Sequence, residues 1–233
     1  MKKYLIANWK SNKNIEAVKK WFADFAANLE AASEQSQVIV APAYPLLPAA
    51  LEELKNTEIK VDLAVQDISI FPAGAYTGAV CAANLENLNV TYSLMGHSER
   101  RKYFHETCQD VAKKVEQALE NKIKPILCID EPYLMEQANV LDKELYSQCI
   151  IAYEPIDAIS TMADAKNANL AKVKEVISLI KNVYGDIPVT YGGSVDENNI
   201  NEYLMVSDGV LVGGASLDGQ QFARVVNQAN VDD

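Results

Sequence analysis

The chain has 233 residues, 49% hydrophobic and 23% charged, with 10 Gly and 8 Pro. This is globular composition, and it excludes a collagenous, disordered or membrane-spanning class. Its 32 acidic residues against 21 Lys and Arg give a net charge of −11, which disfavours nucleic acid and anionic membrane as partners and suggests a cytoplasmic protein.

Tyr4–Ala7 follows Met1-Lys2-Lys3 as a signal peptide's apolar region would, but Asn8 and Lys10 end it too early, so no export is expected. The same run is the first of eight short apolar segments. The others are Val38–Ala41, Val61–Val65, Tyr92–Met95, Pro125–Ile129, Ile150–Tyr153, Pro188–Tyr191 and Gly209–Val212. They are too short for helices and mostly β-branched or aromatic, which predicts strands. Helical stripes lie between them: Ile15, Val18, Phe22, Phe25 and Leu29, then Val111, Val115 and Leu119, then Leu170, Val173, Ile177 and Ile180.

Strands alternating with helices, and lacking polar alternation of their own, imply a parallel sheet covered on both faces. Eight such units predict a single-domain (β/α)8 barrel over residues 1–233; an open doubly wound sheet is the alternative. Only residues 131–148 join the fifth and sixth strands, so the helix there is expected to be short. The cysteines at 81, 108, 128 and 149 form no CxxC pair and read as reduced, buried thiols, with no metal or cofactor expected.

In a barrel, the site lies where strands end and βα loops begin. Glu154 follows the sixth run and precedes Pro155, a place for a general base or for a merely solvated carboxylate. His97, one of two histidines, opens the turn after the fourth run. A helix N-terminus there would keep its imidazole neutral and able to polarise a carbonyl, although a ring satisfied by backbone fits equally well. His105, beside Glu106, reads as a surface or capping residue. Lys10 closes the first run, where it can neutralise an anion or pair with Glu99, and Asn8 shares its face of an extended strand. Gly192-Gly193-Ser194 and Gly213-Gly214 follow the last two strands, where many barrels bind phosphate through backbone N–H groups. Ser194 and Glu197 also match a helix capping box.

Taken in order, Asn8-Trp9-Lys10, Gly96-His97-Ser98-Glu99-Arg100-Arg101, Ala152-Tyr153-Glu154-Pro155, Tyr191-Gly192-Gly193-Ser194 and Leu211-Val212-Gly213-Gly214-Ala215-Ser216 resemble the triosephosphate isomerase family over the whole chain. That family is a standard example of a carboxylate base working beside a neutral histidine, and the roles follow from the resemblance. It implies interconversion of dihydroxyacetone phosphate and glyceraldehyde 3-phosphate without a cofactor. Glu154 would be the base and His97 the electrophile. Lys10 would offset negative charge, Asn8 would be a second donor and Glu99 would orient Lys10. Ser160, Ser194, Gly213 and Gly214 would hold the phosphate under a lid at 155–163. A homodimer is implied, with Thr77 reaching the partner's site.

The chain departs from the family's pattern in places. In the lid, Asp157 stands for a Trp, and Ser160 and Met162 for glycines, which predicts impaired closure and leakage of the intermediate. Asp130 replaces a Gly in Cys128-Ile129-Asp130-Glu131. Ala79 replaces a Glu that would pair with Arg100 across the interface, predicting a weakened dimer. A different phosphosugar-binding barrel enzyme, or a non-catalytic barrel, stands as the alternative.

Overall fold

The computed structural model describes residues 2–30, 36–155 and 169–230. Eight strands close in chain order into a parallel barrel: β1 (Lys3–Asn8), β2 (Ser36–Ala41), β3 (Asp62–Val65), β4 (Val90–Met95), β5 (Lys124–Ile129), β6 (Ile150–Tyr153), β7 (Val189–Tyr191) and β8 (Gly209–Val212). β1 pairs with β2 and also with β8, where Tyr4 lies opposite Gly209 and Ala7 opposite Val212. That closure removes the open-sheet alternative, which would leave two edge strands. Each apolar run of the sequence is a strand, shifted by no more than two residues at either end.

The strands lack polar alternation because both of their faces are buried. Ile6, Ile39, Ala64, Leu94, Ile126 and Leu211 form one cluster, inside the barrel. Their neighbours Leu5, Ala7, Val38, Val40 and Leu127 belong to a second cluster shared with the helices. Those helices are α1 (Ile15–Asn28), α2 (Leu47–Asn56), α3 (Ser98–Phe104), α4 (Cys108–Glu120), α5 (Glu131–Val140), α6 (Lys143–Tyr146), α7 (Leu170–Tyr184), α8 (Ile200–Leu204) and α9 (Gly219–Asn230).

The start of α1 is set by Asn14, whose Oδ1 accepts the Ala17 N–H at 2.9 Å, satisfying one of the donors a helix leaves free. Val18, Trp21, Phe22 and Phe25 are buried; each such side chain contributes about 1.5–3 kcal/mol by leaving water. Trp21 stacks on Phe25 at 4.9 Å and donates from its indole to the Ser216 carbonyl at 2.9 Å. The helix is thereby fastened to the loop after β8. Ile15, expected on the buried stripe, is 51% exposed on the first turn, one residue after the cap, where the chain still runs outside the core.

Between β5 and β6 the chain makes only the ten residues of α5 and the single turn of α6, in keeping with the short connection. The capping box at Ser194 and Glu197 does not form. The next helix, α8, starts at Ile200, while the Glu197 carboxylate accepts from Gln221 and Arg224. No helix among the described residues is long and apolar enough to cross a membrane. The four cysteines are buried and unjoined.

Candidate active site

β1 ends at Asn8, and Lys10 lies beyond it with φ of 52°, so the two do not share a face of one extended strand as the sequence suggested. A left-handed conformation is uncommon for a residue with a side chain and must be held by its surroundings. Two contacts hold it. The Lys10 N–H donates to Asn8 Oδ1 at 3.0 Å, and the Lys10 carbonyl accepts from Gln66 Nε2 at 2.8 Å. The turn brings Lys10 Nζ to 2.8 Å from Glu99 Oε1 on the first turn of α3.

His97 is the N-cap of α3: its Nδ1 accepts the Glu99 N–H at 3.2 Å. A nitrogen that accepts carries no proton, so the neutral ring bears its hydrogen on Nε2. Nε2 lies 3.1 Å from Oε1 of Glu154, whose Oε2 accepts the Ser98 N–H at 3.4 Å. Both side chains are buried. Burial pushes the imidazole's pKa down, but the Glu154 carboxylate, with Glu99 behind it, outweighs burial and holds the pKa above the ordinary histidine value. Conversely, burial pushes the Glu154 carboxyl up, and His97 with the Ser98 N–H brings it below the usual carboxylate range. The helix N-terminus therefore selects the tautomer, whereas the sequence suggested that it would lower the pKa. The adjacent carboxylate opposes its effect on the pKa.

Asn8, Lys10, His97 and Glu154 line one pocket with Gly192, Gly193, Leu211 and Gly213. Gly192 has a reason that its sequence motif does not disclose: a Cβ there would lie 2.8 Å from Cγ of Glu154, inside the volume the carboxylate's stem occupies. Next to this pocket, and sharing Gly193 and Gly213 with it, is a cavity of about 300 Å³ also lined by Ser194, Gly214 and Asn199. The two glycine segments that the sequence singled out thus meet beside the titratable groups.

Thr77 is exposed in the loop that joins β3 to β4, and it is not among the residues that line the mouth. Ser160 and the lid departures lie outside the described residues. His105, as expected, is a cap: it ends α3 with φ of 55° and its N–H on the Arg100 carbonyl. Glu131 accepts from the Tyr153 hydroxyl at 2.8 Å. Asp130 caps α5 through the Tyr133 N–H, and burial raises its carboxyl pKa. Arg100, expected to miss a partner at 79, is engaged within its own chain by Asp67 at 2.8 Å and Glu106 at 2.6 Å.

The sequence reading missed the contacts of Arg101 and Glu106 with the peptide groups of Gly96, next to His97. Both are buried, and their partners Gln137, Lys114 and Gly96 stand at spacings that match no motif. Two charged residues so near His97 in the sequence were the only signal available.

Comparison with known proteins gives one answer. The family model described as triosephosphate isomerase matches residues 3–229. A triosephosphate isomerase of Clostridium botulinum strain Langeland is 36% identical, the alignment covering 96% of this chain and 98% of that protein. One of Mesomycoplasma hyopneumoniae strain 7448 is 35% identical over 97% and 99%, and one of Clostridium tetani 38% over 97% and 97%. With barrel, mouth residues and near-complete alignment in agreement, the chain belongs to the triosephosphate isomerase family.

Proposed function

We propose that this protein interconverts dihydroxyacetone phosphate and glyceraldehyde 3-phosphate through an ene-diol(ate). Ionised Glu154 takes a proton from one of the two adjacent substrate carbons. The Nε2–H of His97 hydrogen-bonds the carbonyl oxygen as it gains charge and passes its proton to it; the ring then takes back the hydroxyl proton of the adjacent oxygen, and Glu154 delivers the carbon-bound proton to the neighbouring carbon. Lys10 lends positive charge to the phosphate and the developing oxyanion. Its ion pair with Glu99 orients it, and Asn8 adds a donor from Nδ2 while its Oδ1 holds the turn. Backbone N–H groups around Ser194, Gly213 and Gly214 receive the phosphate in the neighbouring cavity.

The observation that carries this reading is the convergence of Asn8, Lys10, His97 and Glu154 on one pocket. Another phosphate-binding barrel would share the glycine-lined cavity but has no need of that carboxylate–imidazole pair. A non-catalytic barrel needs neither, and family membership favours neither alternative.

The proposal extends to a cytoplasmic homodimer. Its support is a surface: Phe71, Tyr76, Tyr103 and Phe104 are exposed, with Phe71 stacked on Tyr76 at 4.2 Å. Apolar surface gathered in this way marks interfaces. Phe71 and Phe104 also line a cavity of about 380 Å³, together with Tyr44, Ser69 and Ala79 among others.

The test is isomerisation of glyceraldehyde 3-phosphate, followed by coupling the product to NADH oxidation. Turnover well above that of the Glu154→Gln protein is expected. Equal rates for the two would overturn the reading.

A further inference from the structure

Gly96 precedes His97 and has φ of 68°, a backbone region open to glycine at little cost. A Cβ at this position would lie 2.6 Å from the Arg101 guanidinium and 3.1 Å from Val111. Glycine is the most freely rotating residue, so it would be the loosest joint between β4 and the imidazole. Yet both peptide groups that flank its Cα are tied by charged side chains. Its N–H donates to Oε1 of Glu106 at 3.1 Å, and its carbonyl accepts from Nε of Arg101 at 2.8 Å. Such charge-assisted bonds are the stronger class.

The two anchors are themselves held. Oε2 of Glu106 accepts from Arg100 Nε at 2.6 Å and Lys114 Nζ at 2.9 Å. Arg101 donates to Oε1 of Gln137 at 3.0 Å, and its guanidinium lies 4.3 Å from the centre of the Tyr133 ring. Arg101 is buried, and among the described residues no carboxylate pairs with it. A buried cation without a counter-ion costs stability, so packing alone does not account for an arginine here.

We propose that Arg101 and Glu106 are positioning residues for His97, gripping the peptides on either side of Gly96 and so fixing both dihedrals that aim the imidazole. This rests on the reading of His97 as the electrophile. Over a lever of roughly 6 Å from the Gly96 Cα to Nε2, a rotation of about ten degrees displaces the donor by about 1 Å, an error worth about 10²-fold in rate.

Arg101→Met keeps most of the side chain's apolar stem and removes its donors. The expected result is a kcat lowered about 10–100-fold with KM changed less than about threefold. In a His97→Gln background the same substitution is expected to lower kcat by less than about threefold, because the group it aims is absent. Wild-type kcat in folded Arg101→Met overturns the proposal, and so do equal losses in the two backgrounds, which mark a merely structural role. If His97→Gln itself turns over normally, the catalytic reading fails and not the grip. Should Arg101→Met not fold, the wild-type protein labelled with 15N-glycine decides. Among 10 glycines, the Gly96 amide is expected at low field and protected from solvent exchange. Exchange at the rate of an open loop refutes the grip.

Discussion

His97 Nε2 lies 3.1 Å from Glu154 Oε1, and the two side chains perturb each other in opposite senses: the imidazole's pKa is raised and the carboxyl's lowered. The carboxylate proposed as base is thus kept ionised by the group proposed as electrophile. Several measurable consequences come from that one contact.

Glu154→Gln removes the base and also the anion that holds the imidazole pKa up. kcat is expected to fall by at least about 10²-fold, the low end for general base catalysis, while the fold persists. The midpoint of His97 in an NMR titration is expected to drop, since burial then acts on it with less opposition. An unchanged midpoint would show that the contact does not exist in solution.

The pair also links stability to pH. The raised His97 pKa contributes stability that is complete below the ordinary value of 6.5 and disappears as pH rises through the raised one. The lowered Glu154 pKa contributes stability present above the ordinary 4.5 and lost as pH falls through the lowered value. The combined window runs from below 4.5 to above 6.5. In urea unfolding, the stability of wild type relative to Glu154→Gln should be greater at pH 6 than at pH 9. A difference that stays constant or grows at pH 9 contradicts the assignment.

Gly192→Ala tests whether the glycine serves the carboxylate or only the phosphate. The new Cβ would lie 2.8 Å from Glu154 Cγ, close to the root of the side chain, so Glu154 must move. A kcat loss of about 10–100-fold is expected, with a stability loss of about 1–3 kcal/mol from overpacking. If kcat stays within about twofold while KM rises, the phosphate is the only group the glycine serves.

The interface argument rests on aromatic surface. Arg100 already pairs with Asp67 and Glu106 in its own chain, so Ala79 leaves no cation stranded. Phe104 is 67% exposed, with the Arg100 guanidinium 4.8 Å from its ring centre. Phe104→Ser is expected to raise the dimer dissociation constant about tenfold or more, as loss of an aromatic interface anchor does. Sedimentation giving the same constant for both proteins would move the interface elsewhere.

Much of this molecule was legible in its residues because the relevant signals are local. The eight strands are short β-branched runs, and burial on both faces keeps such runs uniformly apolar, so each was found within two residues of its ends. The place of Lys10, His97 and Glu154 in one pocket was legible because a barrel's mouth forms where strands stop, and a strand's end can be read from the sequence. Tertiary structure decided whatever depends on two segments meeting. Closure of β1 on β8 separates a barrel from an open sheet, and no residue encodes it alone. The turn at Lys10 is held by Gln66 from the end of β3, and Gly192 is small because Glu154 arrives from β6. His97 was read as neutral from its own helix terminus. Its pKa is instead raised by a carboxylate from another strand, because Coulomb energy depends on distance in space and sequence separation does not supply that distance.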